Sequence, residues 1–348
     1  MSTLAPQRAG HRLPRWVPWT VLAASFAVGY GIVLTAGEFN LLGGGFLGAL
    51  IHVVAMTATS WMVEGERWAK DRLATAAVVV AFALVMIPLV SLVWMVVSEG
   101  VRRFDPDFLL TNMVGVYGET EIGGAYHAIV GTLTITGLAS LISIPIGILT
   151  AIYLVEYRGG RISKVITFLV DVMTGIPSIV AGLFAYSLFV TVMGPGYRSG
   201  LIGAVALSVL MTPVVVRSVE EMLKLVPNEL REAAYALGVP KWLTIVKVVL
   251  RTAVAGITTG VMIAIARVIG ETAPLLITVG IVSNTNFNAF DGRMATLPVY
   301  VFRQYAQGGE AASARAWAGA LTLILIVMLL NLGARLVSRY FAPKGLSR

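Results

Sequence analysis

Long apolar runs alternate with short polar segments along almost the whole chain. Each run has about 20 or more largely uncharged residues, the length that a helix needs to cross a hydrocarbon core of about 30 Å. The runs are continuous and show no strict alternation of apolar and polar positions, which favours helices over barrel strands. We therefore predict an all-α integral membrane protein, a polytopic helical bundle. The eight predicted spans are Trp16–Ala36, Leu41–Val63, Leu73–Val97, Ala128–Tyr157, Val165–Met193, Gly200–Val219, Thr252–Val282 and Ala316–Ser338.

Lysine and arginine gather in every second segment between the apolar runs. With the N-terminus in the cytoplasm, 19 of the 26 basic residues fall on cytoplasmic segments, six fall on outer segments, and Arg267 lies within a span. The positive-inside rule therefore predicts that both termini are cytoplasmic. The net charge of +8 then reflects orientation in the membrane and does not indicate a nucleic-acid-binding face. The charged fraction of 13% and the mean hydropathy of +0.84 agree with a membrane protein.

The chain divides into two predicted regions. The short link Gly37–Asn40 makes spans one and two a helical hairpin, so residues 1–64 are predicted to be an N-terminal two-helix membrane extension. Residues 65–348 form the six-span core. Between spans six and seven this core carries a cytoplasmic loop, residues 220–251.

A short amphipathic helix is predicted within that loop. Asn228 is a suitable N-cap, Gly238 suits the position after the helix, and Pro240 prevents its continuation. A weakly apolar stripe of this kind favours insertion into a groove of another protein, and the alternative is a helix lying on lipid headgroups. The stripe falls at positions i, i+3, i+4 and i+7, which are Leu230, Ala233, Ala234 and Leu237.

Span seven carries an unusual pair of charges. Arg267 and Glu271 are four residues apart, so on a continuous helix they share one face, and the cost of burying charge in lipid predicts that they face the bundle interior. Gly270 and Pro274 predict a break in this helix, as in translocation sites built from broken helices. Arg267 would offer a two-pronged donor to an oxyanion, and Thr272 lies beside the break. The alternative is a structural ion pair.

Span five contains a second predicted helix break, at Pro177. Ser178 follows it and is a candidate substrate contact, although a kink that serves only helix packing is the alternative. Asp171, about two turns from the cytoplasmic side, is better suited to pairing with another helix than to binding an anion.

Other chemistry is not indicated by the sequence. The chain has no cysteine, and its three histidines, at 11, 52 and 127, have no metal-ligand spacing. No lysine follows a glycine, so the chain has no phosphate-binding loop for ATP. We expect no metal, no cofactor and no enzymatic activity in this chain.

Two motifs resemble a known family. Glu232-Ala-Ala, followed by Gly238 and later by Val248-Val-Leu, resembles the "EAA" loop of ABC importer permeases, although Val248 stands where isoleucine is usual. Arg251 stands where proline is usual, which would let the next helix run without a break. Arg267-x-x-Gly-Glu-Thr-Ala-Pro-Leu275, with Gly175-Ile-Pro-Ser-Ile-Val-Ala-Gly182 and Leu297-Pro-Val-Tyr300, is similar to A-type permeases of phosphate-specific transport.

The resemblance implies a phosphate importer in a bacterial plasma membrane. Its partners would be a C-type second permease, an ABC ATPase dimer that binds ATP–Mg, an extracytoplasmic phosphate-binding protein and membrane lipid. Arg267 and Glu271 would then matter for transport, with Thr272 and Ser178 along the pathway. Residues that would couple this chain to the ATPase are Glu232, Ala233, Ala234, Leu237 and Gly238.

Three alternatives stay open at this point. A permease for molybdate or sulfate would not be expected to carry the Arg-x-x-Gly-Glu-Thr-Ala-Pro motif of span seven. A secondary transporter working alone would be expected to show internal repeats with paired broken helices. A membrane enzyme would require a cluster of nucleophilic, acid–base or metal-binding residues, and none is evident in the sequence.

Overall fold

Helices make up nearly all of the structure. The computed structural model describes residues 12–35, 40–116, 120–157 and 159–341, excluding the side chains of 41–42 and 337–341. Over these ranges there is no strand, which confirms the all-α prediction. Both chain ends, the predicted end of span one at Ala36 and most of the link Gly37–Asn40 lie outside the described residues.

The number of long helices agrees with the predicted number of spans. In the described ranges, seven helices are long and apolar enough to cross a membrane, and the bent pair α6–α7 would bring the number to eight. The helices are α1 Val17–Thr35, α2 Leu41–Val63, α3 Glu66–Gly100, α4 Pro106–Leu110, α5 Tyr126–Glu156, α6 Arg161–Thr174, α7 Ser178–Met193, α8 Gly200–Lys224, α9 Asn228–Ala236, α10 Lys241–Thr244, α11 Leu250–Val268, α12 Ala273–Thr278, α13 Leu297–Gln307 and α14 Glu310–Phe341, with a 3₁₀ turn at Val101–Arg103 and a π-helical turn at Ile245–Val249.

The chain forms two compact units, Met1–Trp94 and Met95–Arg348. In the first unit, α1 and α2 form the predicted hairpin and approach closely at Gly29, where an added Cβ atom would lie 2.5 Å from the Gly48 nitrogen. Between α2 and α3, Arg72 donates two hydrogen bonds to Glu64 and holds the pKa of that carboxyl at about 2. The predicted domain boundary after residue 64 stays a prediction.

The second unit is organised around α8. Most residues of α8 are buried, and it packs against α5, α6, α7, α11 and α12. Small residues bring the neighbouring helices close to it. At Gly147 on α5, for example, an added Cβ atom would lie 2.5 Å from a Val215 methyl group.

The two ends of α5 define two opposite faces of this unit. The helix has 31 residues and is therefore about 46 Å long. Near its N-terminus, Thr132 Oγ1 accepts a 2.7 Å hydrogen bond from the Leu297 amide at the start of α13. At its C-terminus, Glu156 binds Arg231 of α9. We call these ends the α13 face and the α9 face.

The segment between α12 and α14 is more than a solvated connector. It contains α13, whose residues Leu297–Tyr300 are buried against α14 and the start of α5. Arg315 on α14 is also buried, and its Nε donates a 2.9 Å hydrogen bond to Gln304 Oε1 on α13. Burial raises the pKa of Tyr300 well above its usual range. This buried hairpin of α13 and α14 was not predicted from the sequence.

Candidate functional site

The α9 helix is short, and most of its apolar side chains are not packed against the rest of the protein. It begins at Asn228 with Pro227 in the capping position, so the predicted N-cap at Asn228 is off by one residue. Of the predicted apolar stripe only Ala234 is buried. Leu230 is 41% exposed and Leu237 is 83% exposed, and Ala233 and Glu232 are exposed as well. In this chain alone, the helix therefore presents an uncovered apolar surface.

Gly238 ends α9 in the way that the sequence predicts. Its φ of +73° is in the left-handed region, which glycine adopts without steric cost. The Gly238 amide donates to the Tyr235 carbonyl at 2.9 Å, and the Val239 amide donates to the Ala234 carbonyl at 3.1 Å. This is the Schellman pattern of helix termination. It fixes the angle at which the chain leaves α9 toward α10.

Arg231 attaches α9 to two long helices. Its guanidinium donates to Glu156 Oε1 at the end of α5, with 3.1 Å from Nε and 2.8 Å from Nη2. It also donates to the carbonyls of Leu223 and Val226, at 3.0 and 2.6 Å, where α8 ends. The Arg231 side chain is 12% exposed and the Glu156 side chain 5% exposed. We call this cluster of Arg231, Glu156, Leu223 and Val226 the Arg231 joint.

Further charge pairs surround the joint. Lys241 Nζ donates to the Glu156 carbonyl at 2.5 Å and lies 4.3 Å from the centre of the Tyr157 ring. On α8, Arg217 binds Glu220 and also Asp171 of α6, which confirms that Asp171 pairs with another helix. The α9 helix is therefore attached to α5 and to the end of α8 through the Arg231 contacts.

One continuous helix leads from the end of this loop to Arg267. Helical structure runs without interruption from Lys241 to Val268, through the π turn. Arg251, at the position where proline was expected from the resemblance, lies within it and does not break it. The predicted uninterrupted return to the membrane is confirmed.

The predicted shared face of Arg267 and Glu271 is wrong. The α11 helix ends at Val268, because the Glu271 amide bonds to the Val268 carbonyl three residues back, at 3.1 Å, and the chain then leaves the helix. Pro274 lies in the first turn of α12, where its missing amide hydrogen costs no hydrogen bond. The predicted break at Gly270 and Pro274 is therefore present, but it separates α11 from α12 completely.

The predicted burial of the charge pair inside the bundle is also wrong for this chain. Arg267 is exposed, Glu271 is half-buried, and in the part of the chain that the structure describes no ion pair joins them. Without a shared helix the two side chains are not held four residues apart on one surface. Arg267 is thus available to whatever covers this surface of the chain.

The predicted kink at Pro177 is a complete break. The α6 helix ends at Thr174, α7 begins at Ser178, and their axes differ by 108°, so the break is much sharper than the predicted kink. The Met173 carbonyl accepts from the Ile176 amide at 3.3 Å, so Ser178 is not needed to satisfy it. Ser178 itself is half-buried at the first residue of α7.

The two breaks lie side by side. A Cβ atom added at Gly182 on α7 would lie 2.6 Å from Cα and 3.1 Å from the carbonyl oxygen of Pro274 on α12. The contact allows no side chain at residue 182. It brings together the starting turns of α7 and α12, and with them the regions of Ser178 and Thr272. Arg267 and Glu271 belong to the adjoining turn, so the predicted pathway residues lie around one irregular region.

Some residues of the site were not predicted. From the sequence, Arg231 was one of the 19 basic residues assigned to cytoplasmic segments, and Glu156 had no predicted role. A glutamate closing an apolar span was the available signal, but which base it pairs with depends on tertiary structure.

Comparison with known proteins shows relatives along most of the chain. Residues 143–345 match the family of binding-protein-dependent transport system inner membrane components. The chain is 46% identical over 280 residues to the phosphate transport system permease protein PstA 1 of Mycobacterium tuberculosis (strain CDC 1551 / Oshkosh), covering 80% of this chain and 91% of that protein. It is 42% identical over 222 residues to the phosphate transport system permease protein PstA of Pasteurella multocida, covering 63% and 78%.

The fold is also similar to solved structures. A bacterial alginate ABC transporter in complex with an alginate pentasaccharide-bound periplasmic protein matches with a TM-score of 0.54 and 16% identity, covering 80% of this chain and 97% of that chain. Another crystal structure of a bacterial transporter that imports alginate matches with a TM-score of 0.52 and 18% identity, covering 79% and 99%. At these identities the similarity is one of fold alone.

Proposed function

The chain belongs to the family of binding-protein-dependent transport system inner membrane components and, within it, to the PstA phosphate transport permeases; we propose that it forms part of the phosphate path of an ATP-driven importer. It is a multi-pass membrane protein. The observation that carries the proposal is the exposed apolar surface of α9, a helix attached to the membrane helices through the Arg231 joint. Such an element suits a chain that is driven by a separate subunit.

The partner at α9 is proposed to be an ABC ATPase dimer. Leu230, Ala233 and Leu237 would enter a groove of the ATPase, in the way that a short amphipathic helix binds a hydrophobic cleft. Closure of the ATPase dimer would move α9, and the Arg231 joint would pass this movement to α5 and α8. The helix from Lys241 to Val268 would carry it to Arg267.

The surface with Arg267 is proposed to line the phosphate path, opposite a C-type permease. Arg267 is exposed on this chain, and a charged side chain in contact with lipid is energetically costly. In the assembled complex it would therefore face a polar environment. A guanidinium binds two oxygens of a phosphate group at once. Glu271, Thr272 and Ser178, near the two helix breaks, would complete this region of the path, and the second permease would supply the rest.

ATP–Mg is proposed to bind the ATPase and not this chain, which would hold no cofactor and catalyse no bond cleavage. The absence of a glycine–lysine pair in the sequence supports this division of work. The α9 face and both termini would lie in the cytoplasm of a bacterial cell, as the distribution of basic residues favours. An extracytoplasmic phosphate-binding protein would then approach the α13 face.

The test is reconstitution of the four components in lipid vesicles. We expect phosphate uptake that needs ATP, the ATPase and the loaded binding protein. Uptake by this chain alone without ATP would instead support a secondary transporter. Molybdate or sulfate uptake that phosphate does not inhibit would support a permease for another oxyanion.

A further inference from the structure

Two arginine side chains converge over a glycine on the α13 face. Gly280 follows α12 and has a φ of +73°. A Cβ atom added to it would lie 3.0 Å from Arg198 Nη1 and 3.3 Å from Arg293 Cδ. The two side chains therefore lie next to each other above a Cα atom that carries no side chain of its own.

The backbone beneath both arginines is held in place. Tyr197, next to Arg198, donates from its hydroxyl to the Phe290 carbonyl at 2.5 Å. Asn286 Nδ2 donates to the Asp291 carbonyl at 2.9 Å and to the Arg293 carbonyl at 3.1 Å. These bonds join the segment before α8 to the segment before α13. The convergence of the arginines therefore rests on a fixed loop structure.

Among the residues that the structure describes, no acid pairs with these two arginines. Within the described ranges, Arg198 and Arg293 form no ion pair or hydrogen bond through their guanidinium groups, and the nearby Asp291 forms no ion pair. Adjacent like charges repel, so an anion between them would relieve an unfavourable interaction.

Backbone donors and a cavity lie beside the arginines. The amides of Gly280, Ile281 and Val282 donate no hydrogen bond to any residue that the structure describes. Successive free amides after a left-handed residue are a recurrent anion-binding arrangement. The same three residues line a cavity of about 350 Å³, which Arg303 and the buried His127 also line. We call Gly280, Arg198, Arg293 and Arg303 the Gly280 cleft.

We propose that the Gly280 cleft binds inorganic phosphate on the α13 face, as an entry site that precedes Arg267. The inference rests on the proposed function and adds a second position on the phosphate path. The Arg198 guanidinium, with the Arg293 side chain beside it and the free amides nearby, matches the oxygens of a phosphate group. A small anion is favoured over an acidic protein surface because Gly280 and the free amides also line a concave cavity of about 350 Å³.

The first test separates handover of phosphate from docking of the binding protein. Arg198→Gln and Arg293→Gln are compared with wild type in the complete reconstituted complex, at increasing concentrations of loaded binding protein. Each variant is expected to lower the maximal uptake rate on the order of tenfold, the effect of losing one charge-assisted hydrogen bond. The concentration of binding protein that gives half-maximal uptake is expected to stay unchanged.

Arg102→Gln is the matched control. Arg102 has an acidic partner, Glu99 at 3.0 Å, and its side chain is 71% exposed, so the same charge change should leave uptake unaltered. If Arg198→Gln and Arg293→Gln raise the half-maximal concentration at an unchanged maximal rate, the arginines dock the binding protein and the proposal is overturned. Unchanged uptake in both variants overturns it as well.

A second test does not depend on transport. Phosphate should protect Arg198 and Arg293 from phenylglyoxal in the assembled complex without binding protein, while Arg102 reacts equally with and without phosphate, as read by mass spectrometry. If the wild-type complex imports phosphate but these arginines are not protected, the cleft is not a phosphate site and the proposed function stands. A wild-type complex that fails to import phosphate overturns both.

Discussion

The Arg231 joint and the Gly280 cleft use arginine in opposite ways. In the joint, one partly buried arginine binds a glutamate and the carbonyls that end α8, so its charge is neutralised within the chain. In the cleft, arginines converge without an acidic partner in the described residues. A satisfied arginine holds helices together, whereas an arginine without a counter-ion is available to a ligand. The contrast therefore distinguishes the end of the molecule proposed to receive the ATPase from the end proposed to receive phosphate.

The largest effect is expected from breaking the joint. Arg231→Met leaves Glu156 buried without its partner, which should lower the free energy of unfolding by about 3–5 kcal/mol. Thermal denaturation of the purified complex measures this. Arg251→Met, at an exposed arginine that ends the same loop, is the control and should change little.

A double variant sharpens the same test. Adding Glu156→Gln to Arg231→Met removes the unpaired charge, so part of the lost stability should return. If the double variant is less stable than Arg231→Met, the ion pair is not the reason for the loss.

Arg267→Gln tests whether another arginine without an acidic partner among the described residues, on the proposed phosphate path, also binds a ligand. Because Arg267 is exposed in this chain, the fold and assembly should be unaffected, whereas uptake should fall roughly tenfold or more as a charge-assisted contact to phosphate is lost. Uptake and co-purification of the subunits are both measured. Arg335→Gln, another exposed arginine, should leave uptake unchanged. Normal uptake by Arg267→Gln would remove Arg267 from the path.

Gly238→Val tests the mechanical end without touching the joint. A β-branched residue in the left-handed region costs about 1–2 kcal/mol, and no atom lies within 4 Å of the added Cβ, so the strain acts on the backbone turn alone. We expect more ATP hydrolysed per phosphate imported. Gly238→Asn, which tolerates this conformation better, should lie between valine and wild type. Equal coupling in all three proteins would contradict a role for this turn.

The smallest effect is expected from deleting residues 1–63. The α1–α2 hairpin contains neither the joint nor the cleft, so uptake and coupling should be largely retained in a correctly inserted protein. Vesicle uptake by the shortened chain measures this. Complete loss of uptake would show that the hairpin is required for transport.

The helices that cross the membrane were predictable because apolar length alone specifies them. The end of α9 was also predictable, since Gly238 and Pro240 act through local backbone geometry. The positions of the breaks at Pro177 and at Gly270–Pro274 followed from the missing proline amides and from glycine.

The severity of those breaks and the pairing of charges were not predictable. A proline shows where a helix is weakened, but it does not show whether the helix bends or ends. Here α6 is fully separated from α7, and α11 from α12, where Gly182 packs on Pro274. That contact joins residues distant in sequence. Arg231 finds Glu156 across 75 positions, and the arginines of the Gly280 cleft come from separate segments. Such contacts have no signature in the local sequence. The four-residue spacing of Arg267 and Glu271 likewise did not reveal that the helix ends between them, and it wrongly predicted one shared surface.

The π turn at Ile245–Val249 affects how variants beyond it should be designed. A π turn takes up one residue more than an α-helical turn, and each residue advances a helix by about 100°. A helical wheel started at Lys241 therefore points every side chain after Val249 about 100° away from its real direction. Scanning mutagenesis of residues 250–267 should therefore use a helical wheel that starts at Leu250. A wheel that starts at Lys241 would assign side chains to the wrong face of the helix.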